Sequence, residues 1–403
     1  MAKPHERPAV AAHRIPPALE PNAWTRRLGE RRAAGADLLD LTEMNPTRLG
    51  LTDGAAAARC LQRTLDDPRA GGYEPEPRGM LSAREAVASY YAARGTPVGA
   101  DHIVLTSGTS ESYAHLFRLL ADPGDTVLVP SPSYPLFEPI ASVTGLKVAS
   151  YRLAYDGAWH LDVDSLEAAF RGAASPVRAV VMVQPNHPTG SWLEAAEVLA
   201  LEERCAEYGA ALIADEVFID FSWPNQPPVP SLLAERQGST FALGGLSKCC
   251  GLPQLKLGWI AAAGPAAETR PLLDGLEWIA DLFLSVATPV QLALPELLAL
   301  RHDFQIRVRK RLAENLAMLQ SLGGEQRFEA ALLNGRAGWA GILSLPSRRT
   351  GEEWSLALLD RDVIVHPDHF YDLTRTSVVV SLIVEPDTLR AALGRLQDLI
   401  ASS

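Results

Sequence analysis

Two residues of this chain could act together on a carbonyl compound. Lys248 stands in S-K-C-C-G-L-P-Q-L-K-L-G-W, from Ser247 to Trp259, and Asp215 closes the apolar run of A-L-I-A-D-E-V, from Ala211 to Val217. A primary amine forms a Schiff base with an aldehyde, and a buried carboxylate can keep a pyridine nitrogen protonated so that the ring draws electrons. Such a pair would suit a cofactor like pyridoxal phosphate. Taken singly, a loop lysine is a solvated charge and an aspartate after an apolar run is a cap or turn residue. Here two further strings precede them in order: T-S-G-T-S-E-S from Thr106 to Ser112, and V-M-V-Q-P-N-H-P-T-G from Val181 to Gly190.

In this order the motifs resemble the fold-type I pyridoxal-phosphate enzymes, in particular the class I/II aminotransferases with their N-P-N-N-P-T-G, D-E-V-Y and S-K-x-x-G-L-P-G-L-R-L-G patterns. The resemblance runs from about Asp40 to Leu399. It implies that Lys248 carries the cofactor as a Schiff base, and that Asp215 faces the pyridine nitrogen. Thr109 and Ser110 lie between a strand and a helix start, where backbone N–H groups and a hydroxyl suit a phosphate. Tyr134, in P-S-P-S-Y-P, matches the aromatic residue that lies over the cofactor ring. Tyr73, in Y-E-P-E-P-R-G, resembles the tyrosine given to the phosphate of the neighbouring subunit, which implies a homodimer with shared sites.

The chain departs from the family pattern at the site itself. His187 stands where an asparagine bonds the cofactor's phenolic oxygen, and Phe218 replaces a tyrosine that bonds the same oxygen. A neutral histidine still donates, whereas phenylalanine cannot. With one donor fewer, the Schiff base should hold its proton more tightly. Gly245 takes the place of a serine, and Lys256 that of an arginine, which keeps the charge on the phosphate but loses the fork of guanidinium. The arginine expected to bind a substrate's α-carboxylate is missing from V-V-S, Val379 to Ser381. Two arginines are candidates to replace it. Arg48, with Asn45, ends L-T-E-M-N-P-T-R, a string matching the segment that enters the family's active site. Arg336, in N-G-R-A-G-W, is the second.

Bulk properties narrow the function classes. The 403 residues are 47% hydrophobic and 21% charged, with a net charge of -11. Neither nucleic acid nor an anionic membrane is expected as a partner, since both need a basic face. The four cysteines (Cys60, Cys205, Cys249 and Cys250) show no metal spacing and fit a reducing cytoplasm. The first thirty or so residues lack the apolar core of a secretory signal.

Apolar runs at 103–105, 126–129, 177–183, 211–214 and 241–243 read as strands of an α/β unit with a largely parallel sheet. Helices are expected over 194–208 and 266–284, and a capping box of Ser82 with Glu85 should open another running through Tyr91. A long amphipathic stretch from Leu300 to Leu322 leads to short strands near 341–345, 363–365 and 378–382, and to a helix over 387–400. The expected division is a cofactor-binding large domain over 50–300, with a small α+β domain built from 1–49 and 301–403. The expected function is a cytoplasmic, homodimeric aminotransferase that moves an amino group from an amino acid or amine to a keto acid. A lyase on the same fold, or a non-catalytic regulatory relative, is the alternative.

Overall fold

The computed structural model describes Ala12, residues 14–15, and residues 20–234, 237–322 and 329–402. Its largest element is an eight-stranded sheet in the order 103–106, 258–263, 240–245, 211–215, 177–183, 126–131, 147–155, 159–161. Strands Thr240–Gly245, Ala211–Asp215, Val177–Val183, Thr126–Ser131 and Lys147–Tyr155 pair in parallel. Gly258–Ala263 is antiparallel to both Ile103–Thr106 and Thr240–Gly245, so those two run in the same direction. The central strands read as unbroken apolar runs because helices cover both faces. One face packs on Val87, Tyr91, Leu201 and Leu297, the other on Leu116, Phe117, Leu273 and Leu276.

Beyond the large sheet, Ala331–Leu332, Ala340–Ser344, Ser377–Ser381 and His366–Pro367 form a four-stranded antiparallel sheet. The helices Arg301–Leu322 and Pro386–Ala401 pack with it through Phe304, Val308, Leu312, Leu389 and Leu396. Val363–Ile364 does not join this sheet. It pairs in parallel with Leu39–Asp40 from the N-terminal segment.

Local chemistry accounts for some helix boundaries and tertiary contacts for others. Ala195–Tyr208 begins at a capping box of Glu194 with Glu197 and stops at Gly209, which is left-handed at φ 64. The expected box of Ser82 with Glu85 does not form. The helix starts two residues earlier, over Leu81–Ala93 with Met80 as its N-cap and no side-chain cap, and the Met80 N–H donates to Gln291 Oε1 at 2.7 Å. A tertiary partner has taken over the role of the local cap. The helix expected to reach Leu284 ends at Asp281, since Leu284 is itself left-handed at φ 46 and cannot continue it.

One close approach fixes the geometry at the sheet's end. A Cβ on Gly258 would lie 2.9 Å from Gly108 Cα and 3.0 Å from Gly244 O, both backbone atoms. Gly258→Ala is therefore expected to lower stability by about 1–3 kcal/mol through overpacking. An unchanged urea midpoint would contradict this packing.

Candidate active site

The C-terminal ends of co-directional strands gather the sequence's candidates at one edge, where open α/β sheets bind ligands. Asp215 is the last residue of its strand. It is buried, its Oδ2 accepts from Tyr113 Oη at 3.0 Å, and its Oδ1 accepts from the Val217 N–H at 3.2 Å. Desolvation pushes its pKa up to about 6 against those two bonds and the charge of Lys248. Its backbone carbonyl accepts from the Gln184 N–H at 2.8 Å, which ties the aspartate to the loop carrying His187.

Lys248 lies on the short helix Leu246–Cys249 that follows the next strand. Its Nζ stands 5.4 Å from the ring centroid of Phe218 and 5.2 Å from that of Trp339. Burial draws its pKa down, with Asp215 opposing. The amine is thereby shifted toward the neutral, nucleophilic form. A Cβ at Gly245 would meet Gly258 Cα at 3.0 Å and Leu257 O at 3.1 Å, so the serine of the family pattern has no room here.

Two of the other departures, His187 and Phe218, touch each other. His187 is stacked on Phe218 at 5.8 Å and 22°, and meets Tyr134 edge-on at 5.8 Å and Tyr371 edge-on at 5.5 Å. Phe218 in turn meets Trp339 at 5.2 Å. Val379 pairs across the small sheet with His366, whose Nδ1 lies 2.9 Å from Tyr371 Oη. Burial, then the charge of Lys248, then His366 lower the His187 pKa to about 3, so His187 is neutral.

An anion cradle adjoins this wall. Helix Thr109–Leu120 begins at Gly108 with no side-chain cap, leaving Thr109 and Ser110 in its first turn. Lys256, left-handed at φ 50, brings its Nζ to 3.7 Å from where a Cβ on Gly108 would sit.

The side chains of the remaining four candidates, Arg48, Asn45, Arg336 and Tyr73, make none of the contacts just described. Arg48 is exposed and pairs with Glu43 Oε2 at 3.2 Å, while Asn45 Oδ1 accepts from Thr47 Oγ1 at 2.7 Å. Arg336 stacks on Trp192 at 3.7 Å, bonds Trp192 O at 2.9 Å and pairs with Glu194. Tyr73 is 83% exposed, on the crevice bordered by His115, Ser285 and Gln291. Sequence reading passed over Trp339, His366 and Tyr371. Trp339 ends the N-G-R-A-G-W string, and the other two belong to H-P-D-H-F-Y, a run dense in imidazole and phenol that could have marked them.

The Asp215 carboxylate gives a pH-dependent expectation for the cofactor-free protein. Its folded pKa lies above the unfolded value of 3.8, so the folded state holds this proton more tightly. The associated stability is present below that value and lost as pH rises through about 6, to an extent of up to about 3 kcal/mol. Asp215→Asn should therefore gain stability relative to the parent between about pH 4 and about pH 7 in urea unfolding. A difference independent of pH would contradict the buried, destabilised carboxylate.

Residues 37–395 match the family Aminotransferase class I and II. The chain is 29% identical over 267 residues to the glutamate-pyruvate aminotransferase AlaA of Escherichia coli K12, covering 64% of this chain and 63% of that protein. It is likewise 29% identical over 266 residues to the mouse tyrosine aminotransferase, covering 65% and 57%. The matched segment thus spans less than two thirds of either curated relative. Among solved structures, alanine aminotransferase from Pyrococcus furiosus superposes with a TM-score of 0.82 at 18% identity, covering 94% of this chain and 96% of that one. Tyrosine aminotransferase from Leishmania infantum gives 0.81 at 19%, covering 96% and 98%. At those identities the superpositions establish the fold, and with the match over residues 37–395 the chain belongs to the class I and II aminotransferase family.

Proposed function

We propose that the protein is a pyridoxal-phosphate-dependent aminotransferase moving an amino group from an amino acid or amine to a keto acid. The observation that carries this reading is the convergence of Lys248, Asp215 and the Gly108–Lys256 cradle on one edge of the large sheet. Each group lacks what the cofactor has. A buried carboxylate at the site wants a cationic N–H, an amine of lowered pKa wants an aldehyde, and an uncapped helix start beside an ammonium wants a phosphate. The residues present therefore fit the group.

When bound, the cofactor supplies the electrophile and the electron sink for cleavage at the donor's Cα. The chain's own residues do the rest. Asp215 Oδ atoms hold the pyridine N–H. The first-turn N–H groups at Thr109 and Ser110, with Lys256 Nζ, hold the phosphate. His187 donates to the phenolic oxygen, and Tyr134 limits access of water to the ring. Lys248 Nζ would be the covalent attachment point and, when free, the base placed to take the proton from the donor's Cα. Arg48, with Asn45, is proposed to meet a donor's carboxylate, for which Arg48 must leave Glu43.

The four free, buried thiols support a cytoplasmic setting, and no helix among the described residues is long and apolar enough to cross a membrane. We read the chain as a large domain over 50–300 and a small domain of 1–49 and 301–403. We also read it as a homodimer, since exposed Tyr73, Trp278, Leu282 and Phe283 are aromatic and apolar groups that a second copy would cover.

Borohydride reduction of the loaded protein followed by peptide mapping should tag Lys248; a tag on Lys256, or none, would overturn the attachment. With its donor, the protein should release a keto acid or aldehyde and accumulate the pyridoxamine form without stoichiometric ammonia. Ammonia at each turnover, with the cofactor unchanged, would identify a lyase instead.

The shared site is tested by mixing Tyr73→Phe with Lys248→Ala subunits. If Tyr73 serves the partner's phosphate, heterodimers hold one intact site and one doubly impaired site. Activity equal to the sum of independent chains would refute the sharing.

A further inference from the structure

Among the described residues no hydrogen bond orients the His187 ring, and its ring contacts are with Phe218, Tyr134 and Tyr371. The first of these is a flat stack along which a ring can slide, and Tyr134 is 49% exposed. Tyr371 differs from both. It is buried, and its backbone carbonyl accepts from the Ser133 N–H at 3.3 Å, which clasps the loop carrying Tyr134 to the small sheet. Its hydroxyl lies 2.9 Å from His366 Nδ1. His366 is itself fixed by strand pairing with Val379, by an edge contact with Trp24 at 5.9 Å and by a tilted contact with Phe370 at 5.7 Å.

Desolvation raises the Tyr371 pKa above its ordinary value and lowers that of His366, overcoming the opposing charge of Asp40, which favours the neutral form of both. The tautomer sets the sense of the bond: with the imidazole proton on Nε2, the Tyr371 hydroxyl donates to His366 Nδ1, and that is the arrangement used here. The titratable groups that bear on His187 are Lys248 by its charge and His366 when protonated, with Phe218, Tyr134 and Tyr371 in ring contact, and none of the described acids bonds to it.

We propose that the Tyr371–His366 pair is a positioning device that fixes the His187 ring from the small-sheet side. It thereby sets how strongly His187 donates to the phenolic oxygen of the cofactor. This rests on the reading above that His187 faces that oxygen. The device spans the seam between the two sheets, so the small sheet controls the electronics of a group bound at the edge of the large one. It also gives a physical role to the cluster of departures, in which the donor lost at Phe218 leaves His187 as the donor to be held.

The test is the pH titration of the visible band of the loaded protein, read without turnover. Tyr371→Phe keeps the ring but removes the hydroxyl. If the hydrogen bond holds His187, donation weakens and the midpoint should rise by about half a pH unit, the scale of one ordinary neutral hydrogen bond. His366→Phe should raise it similarly, and the double variant should not add, because both remove one bond. In a His187→Leu background, Tyr371→Phe should produce no further shift. His366→Gln, whose amide oxygen still accepts from the phenol, should restore most of the parent midpoint.

An unshifted midpoint in Tyr371→Phe, or an equal shift with and without His187, would overturn the proposal. Should Tyr371→Phe fail to fold, the His366 pair of variants decides in the same way. Failure of the underlying reading is distinguishable, since the parent itself would then show no titrating band and no borohydride tag at Lys248.

Discussion

The structure turns on an unpaid desolvation at the edge of the large sheet. Asp215 and Lys248 sit on neighbouring strand ends with opposite charges, yet both have pKa values moved toward neutrality by burial. Their mutual attraction does not outweigh the loss of water, which is the usual result when buried charges lack tight, fully bonded contact. The remaining scaffold makes this arrangement possible. Co-directional strands aim both residues at one edge, Tyr113 and the Val217 N–H hold the carboxylate, and Phe218 with Trp339 keeps solvent from the amine. A site in that condition is organised for a cationic, aldehyde-bearing ring.

Three of the departures from the family pattern, His187, Phe218 and Val379, are joined through Tyr371 and His366 in one contact network. His187 packs on Phe218, Phe218 on Trp339, and Tyr371 on His187, with His366 and Val379 behind it on the small sheet. Replacing a tyrosine by Phe218 takes away a hydroxyl but keeps a flat face, on which the imidazole at 187 stacks as an asparagine would not. Gly245 has an independent cause, since a Cβ there would lie 3.0 Å from Gly258 Cα and 3.1 Å from Leu257 O. Substitutions that look like loss of function one at a time therefore read as a repacked wall.

Much of this was legible in the sequence because it is written locally. Apolar runs announce buried parallel strands, and the positions of Lys248, Asp215, His187 and Tyr134 follow from motifs that end such strands. What was not legible depends on residues distant in the chain. Met80 finds its partner in Gln291, so the local capping signature of Ser82 and Glu85 was misleading. Strands Lys147–Tyr155 and Gly258–Ala263, with few flanking signals, became visible only through pairing. His366 and Tyr371 lie on a two-residue strand and a single 3-10 turn, too short for periodicity to show, and their link to His187 crosses the seam between sheets. Arg48 shows the converse, since the string around it matches the family while the folded side chain pairs outward with Glu43.

The central claim is that the buried Asp215 carboxylate exists to hold a protonated pyridine ring. The most direct measurement is the nitrogen-15 chemical shift of cofactor labelled at the ring nitrogen and loaded into the protein. The account predicts a protonated nitrogen persisting well above neutral pH, and its loss in Asp215→Asn at the same pH. A deprotonated ring nitrogen in the parent protein, or one unaffected by Asp215→Asn, would contradict it.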